Sequence, residues 1–282
     1  MTINTAIADR ARANEALTAA ELDELATADI LSLGMLADEV RRARVGDTVT
    51  FVRVADAASA AGAAGAEVRM GSLPATLSDA IAAIQQAKTA AAGSVLTGFS
   101  LADVVERGWG DLVDVLTQLK RAGLGAIVDA PLDRLADAEA ALQTCQDAGM
   151  PVLCLSLQQP NTEGRTRMLM QARALAARFP WLTTIAPLSR EQSIAVPTTG
   201  YDDVRAVALA RLALPSLPTV QVDWAQYGPK LAQVALTFGA NDLDRVSIVD
   251  DESLGRRRTS LEDVTRNISA AGFQPRERTT TA

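Results

Sequence analysis

The stretch "TVQVDWAQYGPKLAQVALTFGANDLDRVSIV", Thr219 to Val249, has the pattern of a strand, a helix and a second strand. Val220–Asp223 and Val246–Val249 are short β-branched runs, and Gly228–Phe238 between them has the Ala and Leu spacing of an amphipathic helix. A helix that joins two strands is the parallel βαβ unit. This stretch therefore predicts a parallel sheet covered by helices.

The same alternation runs along the whole chain. The other strand candidates are Val49–Val54, Ala66–Met70, Ser94–Phe99, Ala126–Ala130, Val152–Leu157 and Thr183–Pro187. The other helical patterns are Leu77–Ala90, Ser100–Arg107, Trp109–Ala122, Leu132–Ala148, Gly164–Arg178 and Tyr201–Leu214. Eight strands with helical crossovers in 282 residues favour an α/β fold of the (β/α)8 TIM-barrel type over an open doubly wound sheet.

The pattern predicts one domain. Residues 1–275 form the barrel with an N-terminal helical extension, in which Thr18 and Glu21 have the spacing of a capping box. Residues 276–282 are a polar tail without a period, which we expect to run over the surface or to be disordered. The Ala- and Gly-rich crossover "VADAASAAGAAGAE" is close to the minimum of about 10 to 12 residues for a parallel connection.

Composition excludes several classes of protein. A net charge of -7 argues against nucleic-acid binding, and the basic run Arg256 to Arg258 beside acidic residues indicates a solvated loop. The sequence contains no apolar run long enough to span a membrane and no leader pattern, so a cytoplasmic location is expected. Histidine is absent, and Cys145 and Cys154 have the context of buried thiols. Catalysis would therefore depend on carboxylates, amines, hydroxyls or a cofactor.

The βα loops of such a barrel converge at the carboxyl ends of the strands, where barrel active sites lie. The sequence places a ring of polar residues of mixed charge there, as expected for a small-molecule site or for any solvated rim. The ring comprises Arg53, Asp56, Arg69, Ser100, Asp129, Asp133, Ser156, Gln158, Gln159, Ser189, Arg190, Glu191, Asp223, Trp224, Asp250 and Asp251.

The common short motifs for phosphate, dinucleotide and metal binding are absent, but a longer resemblance is present. The elements "WAQYGPKLAQVALTFGANDL" and "ISAAGFQPRER", in this order, resemble the C-terminal region of the radical S-adenosylmethionine enzymes of the futalosine route to menaquinone. These are aminofutalosine synthase and dehypoxanthine futalosine cyclase. The similarity continues through "VRMGSLP", "LTGFSLADVVERG", "LKRAGLGAIVDAPLDRL" and "TIAPLSREQS" and covers roughly residues 20 to 279. The resemblance implies a complete barrel of the radical S-adenosylmethionine kind.

The sequence departs from the family where the cofactors bind. The family holds an iron-sulfur cluster on a C-x-x-x-C-x-x-C loop after the first strand, whereas Val54 to Glu67 contains no cysteine and the loop is shortened. The family's glycine pair remains only as Gly71-Ser72, Asp133 replaces its glutamate, and Arg165 aligns with its arginine. We therefore expect no iron-sulfur cluster and no other cofactor or metal, and S-adenosylmethionine binding is put in doubt.

Three functions remain open. The first is a non-radical paralogue, or pseudoenzyme, beside futalosine-dependent menaquinone synthesis, which binds a nucleoside-like ligand or pairs with an active homologue. For this function the resemblance favours Asp223, Trp224, Lys230, Asn241 and Asp242, although these residues could instead only close the barrel.

The second is a cofactor-free lyase or isomerase at the barrel mouth, and the third is a scaffold partner of an active homologue. For the lyase, candidate acid and base groups are Asp129, Asp133, Glu163 and Glu191, and Arg69, Arg165 and Arg190 would hold an anionic substrate. Ser100 is a further candidate ligand-binding residue.

Overall fold

A computed structural model gives the architecture of the chain. It describes residues 3–59, 66–91, 93–159, 164–190, 198–248 and 261–280. Strands β1 to β8 are parallel and follow one another around a closed ring, because β1 pairs with both β8 and β2. The predicted (β/α)8 barrel is therefore confirmed.

The secondary structure begins with three helices and then alternates strands with helices. The helices are α1 Thr5–Arg12, α2 Ala19–Ala26, α3 Ile30–Val45, α4 Leu77–Ala90, α5 Leu101–Arg107, α6 Leu112–Ala122, α7 Ala138–Asp147, α8 Arg165–Arg178, α9 Gly200–Ala213, α10 Trp224–Leu236 and α11 Leu261–Ala270. The strands are β1 Thr48–Asp56, β2 Glu67–Arg69, β3 Leu96–Ser100, β4 Ala126–Pro131, β5 Leu155–Leu157, β6 Thr184–Ser189, β7 Thr219–Asp223, β8 Asp242–Ser247 and β9 Gln274–Glu277.

The N-terminal extension is attached to the outside of the barrel. The capping box predicted at α2 is present, since the Thr18 side chain accepts from the Glu21 backbone and Glu21 accepts from the Thr18 N–H. Arg205 on α9 donates to the carbonyls of Ala26 and Ala28, each at 2.9 Å. These bonds fix the extension against the helical layer.

The described part of the C-terminal tail is ordered; its strand residues are largely exposed, as expected for a segment on the surface, whereas Thr280 is buried. The short strand β9 pairs in parallel with Thr48–Phe51 of β1, on the same edge on which Val54–Asp56 of β1 pairs with β2. It therefore fills the gap below the three-residue strand β2. Beyond β9, Arg278 and Thr280 contact the carboxylates of Asp242 and Glu67. The end of the tail thus enters the barrel wall.

Several element boundaries differ from the sequence-based prediction, among them those of β8 and α7. Strand β8 begins at Asp242, four residues before the predicted start, because the polar residues Asp242 and Asp244 belong to the strand. Helix α7 begins at Ala138 rather than at Leu132, because β4 extends through Pro131. In α10, Gly228 adopts φ 72° immediately before Pro229, and the helix is kinked there.

The core consists mainly of Ala, Leu, Val and Ile, as the composition predicts, and small residues allow close packing. A Cβ atom at Gly98 of β3 would lie 2.5 Å from Cβ of Met70, so the strand requires glycine at that position. Within the described residues, no helix combines the length and apolar character that a membrane crossing needs. The middle of the Ala- and Gly-rich crossover, residues 60–65, lies outside the described residues, as does the basic run at residues 256–258.

Candidate functional site

The interior of the barrel is charged rather than purely apolar. Carboxylates from β2, β4, β7 and β8 meet guanidinium groups from β2, from the end of β6, from β8 and from the C-terminal tail. The carboxylates are Glu67, Asp129, Asp223, Asp242 and Asp244, and the guanidinium groups are Arg69, Arg190, Arg245 and Arg278. Buried charges require such pairing, because an isolated ion in the interior is strongly destabilising.

Arg69 occupies the middle of this network. Its Nη1 and Nη2 atoms lie 2.9 and 3.0 Å from the two carboxylate oxygens of Asp244, and its Nε lies 2.8 Å from Oε1 of Glu67. Burial alone would raise the pKa of Asp244, but Coulombic attraction and hydrogen bonds from Arg69 hold that pKa well below its ordinary value. Arg69 is therefore committed to internal pairing and is not free to clamp a substrate.

Arg190 lies above this pair, immediately after β6. Its Nη1 is 3.4 Å from Asp223 and 3.6 Å from Asp244, and its Nε is 3.9 Å from Asp129. None of these contacts is a short bidentate pair like the one between Arg69 and Asp244. Arg190 thus combines several long contacts to carboxylates with unused hydrogen-bonding capacity.

The predicted acid and base candidates differ in their environments. Asp129 accepts from Oγ of Ser156 at 2.7 Å and from Nε2 of Gln158 at 3.3 Å. Asp133 accepts from the backbone N–H groups of Gln158 and Gln159 at 2.9 and 2.8 Å and so holds the chain after β5. Asp133 therefore has a structural role. Glu163 and Glu191 lie outside the described residues, as do Asp250 and Asp251.

Three buried donors at the carboxyl ends of the strands have no hydrogen-bond partner among the described residues. They are Oγ of Ser100 at the end of β3, Nε of Arg165 at the start of α8, and Nε of Arg190 after β6. Ser100 is the N-cap residue of α5, yet its hydroxyl makes no capping bond. Burial lowers the pKa of Arg165, although the nearby carboxylates of Asp202 and Asp203 act in the opposite direction. A buried donor without a partner is destabilising, by about 1–3 kcal/mol, and requires an explanation.

Backbone strain is found at the same end of the barrel. Phe99, next to Ser100, has φ 61°, and Arg245, which contacts Asp223 at 3.2 Å, has φ 58°. A bulky side chain at positive φ is disfavoured, and such residues cluster at ligand sites. We call this end of the barrel the upper mouth; Ser100, Asp129, Arg190 and Asp223 lie near the carboxyl ends of its strands or directly after them, and Arg165 lies at the same end, at the start of α8 near Asp202 and Asp203 of α9.

The residues that the C-terminal resemblance favours do not form one group. Asp223 belongs to the upper mouth and caps α10 through the N–H of Gln226. Trp224 is fully buried in the core, and Lys230 is exposed on α10. Asn241 accepts from Arg211 at 2.6 Å and from the N–H of Val220 at 2.8 Å, which ties β8 to β7.

Asp242 lies at the start of β8, at the opposite end of the barrel, where Arg278 contacts it at 2.7 and 2.9 Å. Sequence reasoning missed Glu67, Gln221, Asp244 and Arg278 as interior polar residues. The available signal was the alternation of Asp242, Leu243 and Asp244, in which two carboxylates two residues apart share one face of a buried strand.

The donor set does not fit an iron-sulfur cluster. The 282 residues contain two cysteines, and such clusters are held by more thiolates than that. Burial raises the pKa of both Cys145 and Cys154 to about 12, so both are protonated thiols. Among the described residues, no group of three or more acidic, cysteine or histidine side chains could hold a metal ion.

Comparisons with known proteins agree with this architecture. Residues 172–282 match the family described as CofH/MqnC C-terminal region. The chain is 28% identical over 196 residues to 5-amino-6-(D-ribitylamino)uracil–L-tyrosine 4-hydroxyphenyl transferase of Archaeoglobus fulgidus, covering 59% of this chain and 57% of the relative. It is 46% identical over 57 residues to aminodeoxyfutalosine synthase of Thermus thermophilus, covering 20% of this chain and 15% of the relative. The chain spans about half the length of the first of these relatives.

Solved structures share the fold at low identity. Methylornithine synthase (PylB) superposes with a TM-score of 0.69 at 13% identity, covering 96% of this chain and 97% of that one. HydG, a maturase of the [FeFe]-hydrogenase, superposes with a TM-score of 0.67 at 12% identity, covering 96% and 74%. These similarities show a common barrel.

Proposed function

Because this chain is a relative of the futalosine-pathway radical S-adenosylmethionine enzymes, we propose that it is a non-radical paralogue that binds a nucleoside-like ligand at the upper mouth. Its place would be in or beside futalosine-dependent menaquinone synthesis. The absence of a three-cysteine set from these 282 residues supports a function without a cluster, because reductive cleavage of S-adenosylmethionine needs an electron delivered through iron.

The unpartnered donors of the upper mouth carry the proposal. Ser100, Arg165 and Arg190 come from three different βα units, and each has a buried donor without a hydrogen-bond acceptor among the described residues. A ligand with oxygen or nitrogen acceptors would satisfy them, and guanidinium groups are suited to planar, oxygen-rich groups. Asp129 and Asp223 nearby can accept from ligand hydroxyl groups.

The names of the relatives support the ligand class. One acts on a ribitylamino-substituted uracil, and another is a synthase of aminodeoxyfutalosine. A heterocycle with a ribose-like chain presents ring acceptors and several hydroxyl groups, which complement a mouth with both guanidinium and carboxylate groups.

The lyase or isomerase alternative receives less support from the geometry. Asp133 is engaged by two backbone N–H groups, and Asp129 and Asp223 both contact Arg190 rather than each other. A general acid and base pair needs two groups within reach of one substrate and free to exchange protons. Of the carboxylates proposed for this role, the described part of the chain offers no such pair.

A complex with an active homologue is the second candidate function. Leu31 and Met35, one turn apart on α3, are 67% and 74% exposed. Exposed apolar pairs are common on surfaces but also mark interaction sites. Co-elution with a cysteine-bearing homologue in size-exclusion chromatography, lost in the L31E/M35E variant, is the result that this function requires.

The ligand proposal is tested by calorimetric titration and thermal shift with S-adenosylmethionine, a futalosine-type nucleoside and a ribityl-substituted uracil. A ligand at about 100 times its Kd should stabilise the native state by about 2.7 kcal/mol. The Ser100→Ala variant tests whether the ligand binds at the upper mouth. Its hydroxyl has no partner in the free protein, so we expect unchanged or slightly higher stability without ligand but about 5- to 10-fold weaker binding.

The Lys230→Gln variant is the matched negative control, since Lys230 is exposed on α10, and its affinity should equal that of the wild type. Absence of a shift with all three ligands at millimolar concentration would overturn the proposal. Equal affinity of wild type and Ser100→Ala would place any observed binding elsewhere.

A further inference from the structure

A second cavity lies at the opposite end of the barrel, away from the upper mouth. Its volume is about 600 Å³, within the range of small-molecule sites. Thr184, Thr219 and Asp242 begin strands β6, β7 and β8, and all three line it. The cavity therefore opens at the amino-terminal ends of the strands. We call it the lower cavity.

The lining of the lower cavity is unusual for this end of a barrel, which layers of branched apolar side chains ordinarily fill. Here the lining is mixed: hydroxyl and amide groups, among them Thr183, Thr184, Thr219, Gln221 and Thr279, lie beside apolar side chains such as Met150, Val152 and Leu153. Purely apolar cavities stay dry, whereas a cavity of this size that carries several polar groups holds water or a ligand that replaces water.

The charges in the lower cavity are already paired. Asp242 accepts from Arg278 at 2.7 and 2.9 Å and from Nε2 of Gln221 at 2.8 Å. Glu67 is bound by Arg69, by Oγ1 of Thr97 at 2.6 Å and by Thr280. Arg69 is bound to two carboxylates, and Arg278 is bound to both oxygens of one carboxylate. Among the described residues, the lining therefore offers no unpaired guanidinium group to an anionic ligand.

An aromatic ring borders the same space. Trp181 lines the cavity, and its indole N–H donates to Oε1 of Gln146 at 3.0 Å, which fixes the ring plane. A flat indole beside hydroxyl and amide groups suits a ligand with C–H faces and many hydroxyl groups. Carbohydrates and sugar alcohols have this combination.

The lower cavity is separate from the upper mouth. Arg69 and Asp244 form a bidentate pair across the interior, and Arg190 lies 3.6 Å from Oδ2 of Asp244 and 3.4 Å from Oε1 of Gln221. The tail residues Arg278 to Thr280 form part of the lower wall, whereas Ser100 of the upper mouth does not line the cavity. Occupancy of the lower cavity should therefore depend on the docked tail and not on the Ser100 hydroxyl.

We propose that the lower cavity is a binding site for an uncharged polyhydroxylated small molecule, a sugar or sugar alcohol, held by threonine hydroxyls, Gln221 and the ring of Trp181. This site is distinct from the ligand site at the upper mouth. Its ligand is neutral because the charges that the described lining residues bring to the site are already paired.

Saturation-transfer NMR with ribitol, D-glucose and sucrose tests the site, with the wild-type chain at fixed concentration. Thermal shift alone is unsuitable, because polyols stabilise proteins by exclusion from the surface without binding. We expect a saturable signal with at least one probe. In the isosteric variant Thr184→Val/Thr219→Val, which removes two hydroxyl groups, affinity should fall roughly tenfold or more.

The Ser100→Ala variant is the matched control, because it alters only the upper mouth, and its affinity for the same probe should be unchanged. Denaturation midpoints establish that each variant is folded. The proposal is overturned if none of the three probes gives a saturable signal, or if the threonine double variant binds as well as wild type. Displacement of the probe by equimolar inorganic phosphate would overturn the neutral ligand class.

Discussion

Replacement of Arg278 tests whether the tail is part of the barrel. In Arg278→Met the aliphatic stem remains and the guanidinium group is lost. Asp242, whose side chain is 0% exposed, then loses both bonds at 2.7 and 2.9 Å. Removal of one partner from a buried ion pair ordinarily costs about 3–5 kcal/mol, because the remaining charge is left buried.

The expected loss lies at the lower end of that range. Arg278 is 30% exposed, and Gln221 and Thr50 continue to donate to Asp242. We therefore expect the free energy of unfolding in urea to fall by about 3 kcal/mol, a large part of the ~5–15 kcal/mol typical of a domain. In Asp242→Asn the partly exposed guanidinium can reach water, so a smaller loss of about 1 kcal/mol is expected.

The double variant Arg278→Met/Asp242→Asn should lose less than the sum of the two single variants, by about 1–2 kcal/mol, because no buried charge is left alone. Arg53→Met is the matched surface control, since Arg53 and its partner Glu277 on β9 are 31% and 35% exposed, and it should cost less than about 1 kcal/mol. If Arg278→Met stays within about 0.5 kcal/mol of wild type and shows no coupling to Asp242, the tail does not supply this buried pair.

Two further predictions concern the buried thiols and the glycines on and beside the barrel strands. Burial raises the pKa of the Cys145 and Cys154 thiols to about 12. At pH 8 both should therefore resist alkylation in the native protein and react only after denaturation. Rapid labelling of both thiols in the native protein, measured by mass spectrometry, would contradict this. Gly98→Ala should lower the free energy of unfolding by about 1–3 kcal/mol, because the added Cβ would collide with Met70. The control Gly71→Ala should stay within about 0.5 kcal/mol of wild type, because its Cβ would meet no atom within 4 Å. Equal denaturation midpoints for the two variants would refute the close packing at β3.

The fold could be predicted because the signal for each βα unit is local. In each βα unit the spacing of apolar residues changes from a β-branched run or a period of two to the helical period of about 3.6. This change can be read from a few neighbouring residues, without information on residues far away in the sequence. Helix ends were equally local, as the capping box at Thr18 and Glu21 shows. Strand β9 was missed because "QPRE" has no apolar alternation, and its order comes from pairing with β1 more than two hundred residues away.

The candidate site could be predicted only in part, for a physical reason. The carboxyl ends of the strands are fixed by the fold, so Ser100, Asp129, Arg165, Arg190 and Asp223 could be placed at one mouth. Pairing partners inside the barrel are not local: Arg69 on β2 meets Asp244 on β8, 175 positions away. The sequence therefore could not distinguish an arginine committed to an internal pair from one free for a ligand, and Arg69 was included with Arg190.

The contrast between the two ends of the barrel bears most directly on function. At the lower end both arginines of the lining have carboxylate partners, and the tail supplies one of them, Arg278, to Asp242. The buried charges described there are therefore balanced within the protein itself. At the upper mouth Ser100, Arg165 and Arg190 keep buried donors without partners. The other buried polar atoms without a hydrogen-bond partner belong to Arg41, Arg44 and Asn267, on the outer helices α3 and α11. Within the described residues, the upper mouth is therefore the region to which three different βα units each contribute an unpartnered buried donor. Each such donor destabilises the free protein, and a ligand that accepts from all three would offset that loss on binding.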